Sequence, residues 1–149
     1  MMFEATFKSL GLAAAALMLP TGMAAAQEVQ PSELQVAVAY VDAYNARDLN
    51  AILALMHEDV EWLSIEGSET VAFASGKAEL AAQMEDYLAS PDATFSTVEG
   101  SVGNGRFVAV REVAHWTDDK GNSRSQAALA VYEIEGGLVR RVWYYPATR

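Results

Sequence analysis

Residues 106–145 read RFVAVREVAHWTDDKGNSRSQAALAVYEIEGGLVRRVWYY, and the choice of fold turns on this stretch. Three long segments, Arg106 to Trp116, Ser123 to Ile134 and Leu138 to Tyr145, are rich in β-branched and aromatic side chains, which favour strands. Between them lie Asp118-Asp119-Lys120-Gly121 and Gly136-Gly137, sequences suited to tight hairpin turns. A fourth strand-like segment, Thr94 to Glu99, precedes them across Gly103-Asn104-Gly105. Four such segments in series predict an antiparallel meander.

Working outward, the chain before residue 93 has helical character. Ser32-Glu33-Leu34-Gln35 fits a capping box, and Leu34, Val38, Val41 and Tyr44 (or Asn45) recur at helical spacing, giving a helix to about Ala46. Asp48 can cap a second helix with Leu49, Ile52, Leu53 and Met56 as its buried stripe. Val60 to Ile65 and Val71 to Phe73 read as short strands about Gly67-Ser68. Ser75-Gly76 introduces a third helix that turns Leu80, Met84, Tyr87 and Leu88 inward, and Ser90-Pro91-Asp92 ends it. Helices first and a meander afterwards predict an α+β domain, with three N-terminal helices covering one face of a curved, mainly antiparallel sheet of about six strands.

At the N-terminus, Lys8 precedes the apolar run Leu10 to Leu19. Pro20 and Gly22 break it, and Ala24-Ala25-Ala26 offers the small residues of a signal-peptidase site. The run is about half the roughly 20 residues needed to span a bilayer. Residues 1–26 are therefore read as a secretory signal and residues 27–149 as one domain, periplasmic or secreted, with no stable membrane anchor after cleavage. The formal net charge of −10 and the lack of a basic patch argue against nucleic acid as a partner. There is no Cys, hence no disulfide or thiolate chemistry, and 52% hydrophobic residues suffice for a substantial core.

The order helix, helix, two short strands, helix, four long strands resembles the nuclear-transport-factor-two-like superfamily, and in particular its SnoaL-like branch. Local phrases carry the resemblance too: Tyr40 to Leu49 at the first-helix exit, Leu53 to Trp62 running from the second helix into the first strand, Gly76 to Leu80, and Gly137 to Tyr145. The resemblance implies a cone-shaped domain with a pocket between sheet and helices, often in a homodimer. It does not imply one activity, because the superfamily holds isomerases, cyclases, dehydratases, adaptors and binding modules.

If Asp119-Lys120 and Gly136-Gly137 are two-residue turns, Val110, Leu129 and Tyr144 share one cross-strand row and Val108, Val131 and Val142 the next. Ala114, Glu112, Ala127 and Trp116 then lie on the same, helix-covered face. Glu133 would face Arg140 at one end as a cross-strand ion pair, whereas Glu112 has no such partner. A carboxyl on an apolar face has its pKa raised by desolvation, which suits a general acid or base. The plainer account of Glu112 is a rim residue with its head in water or against an Arg. His115 and Arg111 fall on the opposite face with Phe107, Trp143 and Tyr145, so His115 is a weaker catalytic candidate, needing a β-bulge to join Glu112.

Tyr40 stands where the resemblance places the oxyanion-stabilising tyrosine of the superfamily's steroid isomerases, although an ordinary core tyrosine would look the same. Those enzymes' base, an aspartate at the end of the first strand, is replaced here by the region of Ser64, and their second acid falls among Leu129 to Val131. Trp62, Phe73, Tyr87, Trp116 and Tyr144 are candidate ligand-lining aromatics. His57-Glu58-Asp59 reads as a helix C-terminus followed by acids rather than a metal site, since the chain has two His and no Cys. No phosphate loop, nucleophile elbow or dinucleotide fingerprint occurs, so no cofactor is implied. Three functions remain open: a binder of a small apolar or aromatic molecule, a proton-transfer enzyme using Glu112 and Tyr40, or an interaction module whose outer face carries Phe107, Tyr132, Trp143 and Tyr145.

Overall fold

The computed structural model describes residues 32–147. The expected export signal at residues 1–26 and the lead from Gln27 to Pro31 lie outside the described residues. Element order is α1 (Glu33–Asn45), α2 (Leu49–Ala54), β1 (Met56–Glu66), β2 (Glu69–Ser75), α3 (Lys77–Ala89), β3 (Phe95–Asn104), β4 (Phe107–Thr117), β5 (Ser123–Glu135) and β6 (Leu138–Tyr144). The strands form one six-stranded open sheet in the order β2-β1-β6-β5-β4-β3. Every neighbouring pair is antiparallel except β1 and β6, which run parallel. The fold class is α+β.

Each helix starts where its local chemistry permits. Ser32 and Gln35 form the reciprocal capping box of α1, with Ser32 N donating to Gln35 Oε1 at 2.8 Å and Gln35 N to Ser32 Oγ at 3.3 Å. Arg47 ends α1 in the left-handed region at φ 58°, while Asp48 caps α2 by accepting from Ala51 N at 2.9 Å. Gly76 takes φ 90° where β2 passes into α3, a conformation that a side chain would strain.

The buried face of α1 is Val36, Ala37, Tyr40, Val41, Ala43 and Tyr44. Leu34 and Val38, expected in that stripe, are exposed. The helix packs on β3, β4 and β5 through the neighbouring face, which includes the small Ala37 and Ala43. Met56 is buried as expected, but as the first residue of β1, because α2 stops at Ala54. His57 therefore sits in β1 rather than at a helix end, and its Nδ1 accepts from Asp59 N at 3.1 Å. β3 also runs on to Asn104, well beyond the expected Glu99.

Two one-residue shifts rearrange the meander. The β4–β5 connection is longer than a two-residue turn. Asp118 N donates to Asn122 O, and the Asp118 carboxylate accepts from Lys120 N and Asn122 N. Gly121 supplies the positive φ of 79° that this longer loop requires. The β5–β6 turn does use Gly136-Gly137, at φ 59° and 77°, but a bulge lies beside it between Glu133 and Ile134.

Both shifts move β5 by one residue relative to its neighbours, so the rows are Val110, Ala130, Tyr144 and Val108, Tyr132, Val142. Leu129, Val131 and Ala127 belong to the opposite face, and Tyr132, expected outside, is fully buried in the core. Glu133 pairs with Arg141 rather than Arg140. Its carboxylate is buried and accepts from Arg141 Nη1 at 2.9 Å and Arg106 Nη2 at 3.0 Å.

Candidate functional site

A cavity of about 880 Å³ opens between the helices and the inner sheet face. α1 contributes Tyr40 and Tyr44, β1 Trp62, β2 Phe73, β4 Glu112 and Ala114, and β6 Tyr144. The exposed end is formed by α3, with Glu79, Gln83, Asp86 and Tyr87. Aromatic contacts order this interior: Trp62 stacks on Tyr144 at 5.6 Å between ring centroids and meets Tyr40 at 5.1 Å. Tyr40 in turn meets Tyr132 at 6.0 Å. These separations fall in the favourable range for offset or tilted rings.

Glu112 lies on this aromatic floor. Its Oε2 accepts from Tyr144 OH at 3.0 Å and from Tyr132 OH at 3.2 Å, and the two phenol oxygens are 3.1 Å apart. Burial pushes the carboxyl up from its ordinary range, while hydrogen bonds from Tyr144, Ser96 and Tyr132 pull it part of the way back. Burial, followed by the neighbouring Glu112 charge, raises the phenols of Tyr40, Tyr132 and Tyr144 well above the usual tyrosine range. All three stay protonated, and two of them, Tyr132 and Tyr144, donate to the one carboxyl.

A second cluster stands between α1, α3 and the start of β3. Tyr44 OH bonds Thr94 Oγ1 at 2.8 Å and donates to Tyr87 OH at 3.1 Å, and Thr94 N donates to Tyr87 OH at 3.2 Å. Burial and the Tyr87 contact carry Tyr44 up to about 12. For Tyr87 burial acts upward, but hydrogen bonds from Thr94 and Tyr44, with Arg47 nearby, outweigh it and leave the phenol lowered. Asn45 braces this corner: Ser96 N donates to Asn45 Oδ1 at 2.8 Å, and Asn45 Nδ2 donates to Ser96 O at 2.7 Å.

The fold thus brings Glu112, Tyr40, Trp62, Phe73, Tyr87 and Tyr144 to one cavity. Trp116 lines an adjoining chamber of about 470 Å³ that also includes Glu112, Ala114 and Tyr144. His115 stays apart on the other sheet face, where its Nε2 lies 2.9 Å from Thr97 Oγ1 and its ring packs near Phe95. Tyr44, Thr94 and Ser96 are site residues that the sequence does not single out, and Tyr132, expected on the outer face, joins the site instead. Tyr44 could be found four residues after Tyr40 on the same helix face, whereas Tyr132 needs the true β5 register.

Residues 37–142 match the SnoaL-like domain family, and the chain belongs to it, within the nuclear-transport-factor-two-like superfamily. Among solved structures the chain is similar to an uncharacterized cystatin-fold protein from Novosphingobium aromaticivorans, at 23% identity and TM-score 0.64, over 76% of this chain and 97% of that one. It is also similar to RV0760c from Mycobacterium tuberculosis, solved in complex with estradiol-17beta-hemisuccinate, at 19% identity and TM-score 0.63, over 78% and 98% of the two chains. A third is an LEH-like epoxide hydrolase from M. tuberculosis, at 12% identity and TM-score 0.63, over 76% and 80%. No curated protein matches the sequence. At these identities the likeness establishes the fold alone.

Proposed function

We propose that the protein binds a small apolar or aromatic molecule in the pocket of a cone formed by sheet and helices. The observation that carries this reading is the 880 Å³ cavity, walled by Trp62, Tyr40, Tyr144 and Phe73, with the Glu112 carboxyl held by phenols on its floor. Its volume lies within the range of about 300–1,000 Å³ common to small-molecule sites, and a few placed polar groups in an apolar wall are what such sites use for orientation. That RV0760c was solved with estradiol-17beta-hemisuccinate is consistent with the same use of the fold. Thermal unfolding in the presence of neutral bicyclic and tricyclic aromatics tests it. Saturable stabilisation, about 2.7 kcal/mol at a hundredfold excess over Kd, is the expected result, and no stabilisation across the panel would reject the reading.

A second reading, proton transfer of the isomerase, cyclase or dehydratase kind, is favoured by one observation: the Glu112 carboxyl, with its raised pKa, shares the cavity with the Tyr40 phenol. Glu112 would exchange the proton and Tyr40 would donate to developing negative charge. Loss of turnover in both Glu112→Gln and Tyr40→Phe, with binding retained, would support it. Activity surviving both changes would rule out the assignment.

Two further proposals concern the protein's setting. The apolar run and Ala24-Ala25-Ala26 support export to the periplasm or medium after removal of residues 1–26. The outer sheet face, with Phe107, Leu129 and Tyr145 exposed and Trp143 between them, supports a homodimer.

A further inference from the structure

The charge of the cavity is one-sided. Its lining holds three carboxyls, Glu79, Asp86 and Glu112, and no Lys or Arg among the described residues. The cation that touches a lining residue, Arg47, sits over the Tyr44 ring at 5.4 Å and is committed by a 2.6 Å hydrogen bond to Ala93 O. Lys77, at the start of α3, is paired with Glu58 at 3.0 Å. The whole chain carries a formal charge of −10, which adds to the same potential. A cleft lined by one sign of charge between low-dielectric walls concentrates the opposite sign within it.

The walls suit a cation as well. Tyr40, Tyr44, Trp62, Phe73, Tyr87 and Tyr144 all line the cavity, and aromatic faces attract ammonium groups, most strongly when these are withdrawn from water. An anionic ligand would meet three carboxyls and no compensating cation in the lining. A neutral ligand would gain the apolar contacts only.

We propose that the ligand is an arylalkylamine bound as its ammonium cation, with the ring system packed against the wall that Trp62 and Tyr40 form together and the ammonium directed to Glu112. Glu79 and Asp86, at the exposed end, steer its entry. This rests on the binding reading above and assigns the chemical class of what is bound.

Three probes of one shape but different charge separate the two claims: naphthylmethylammonium, naphthylmethanol and naphthoate, each titrated into the protein by calorimetry. The ammonium is expected to bind at least about tenfold tighter than the alcohol, and the carboxylate weakest, since one opposed charge in a partly buried site outweighs one hydroxyl. Glu112→Gln should cost the ammonium about tenfold and leave the alcohol within about twofold. Asp86→Asn is an exposed change that spares the fold, and it should slow association of the ammonium and weaken its salt dependence. If the alcohol or carboxylate binds as tightly as the ammonium, the charge assignment is overturned while binding stands. If none of the three binds, both claims fall.

Discussion

Glu112 has its acidity altered by withdrawal from water, and that gives a stability signature with a definite sign. Its pKa is raised from the ordinary 4.5, so between that value and the higher folded value the folded chain holds more protons than the unfolded one. Stability is therefore lost as pH rises through that window. Glu112→Gln keeps an acceptor for Tyr132 and Tyr144 but has nothing to ionise. Denaturant unfolding should show the variant gaining on the parent as pH rises above the ordinary 4.5 through the raised folded value, by about 1.4 kcal/mol for each pH unit between the two. A constant difference across that range would mean the carboxyl is not desolvated. Tyr132→Phe removes a fully buried hydroxyl that donates to Glu112, and should cost about 1–3 kcal/mol in the same assay.

At the scale of elements, the site depends on α1 being fixed to β3 and on the face that β5 turns inward. Asn45 satisfies both the N–H and the C=O of Ser96, so Asn45→Ala leaves two backbone groups without their partner. A loss of about 2 kcal/mol in unfolding free energy is expected. The β5 register is testable by a contrasted pair. Leu129 is 45% exposed and Ala130 fully buried, so Leu129→Ala should cost no more than about 0.5 kcal/mol and Ala130→Leu about 1–3 kcal/mol.

The order of elements, the α1 capping box, the Asp48 cap and the Gly136-Gly137 turn are all legible in the sequence, because each rests on local chemistry. The face of β5 is not. From Ala127 to Tyr132 both alternations are apolar, so period two selects neither. The outcome is decided by the non-local packing of α1 over the sheet, where a small residue, Ala130, lies in the fully buried row. The Glu133 bulge and the Asp118 loop then accommodate the slip. Glu112 is placed correctly all the same, since β4 and β6 keep their faces and only the strand between them moves.

For the molecule as a whole, the proposed functions divide between the inner and outer sheet faces. The proposed dimer would cover Leu129, Trp143 and Tyr145, and Leu129→Glu at the middle of that patch should shift sedimentation from dimer to monomer. A parent that already sediments as a monomer at high concentration would contradict the dimer. The inner face carries the central claim, that the cavity beneath the helices receives an aromatic guest. Ala114 lines that cavity and is small enough for its replacement by Phe to occupy the space. The most direct measurement is a fluorescence titration with phenylnaphthylamine, a neutral apolar probe, on the parent and on Ala114→Phe. Saturable binding of one probe per chain in the parent, lost in the folded variant, is the predicted result. No binding to the parent, or equal binding to both, would contradict the account.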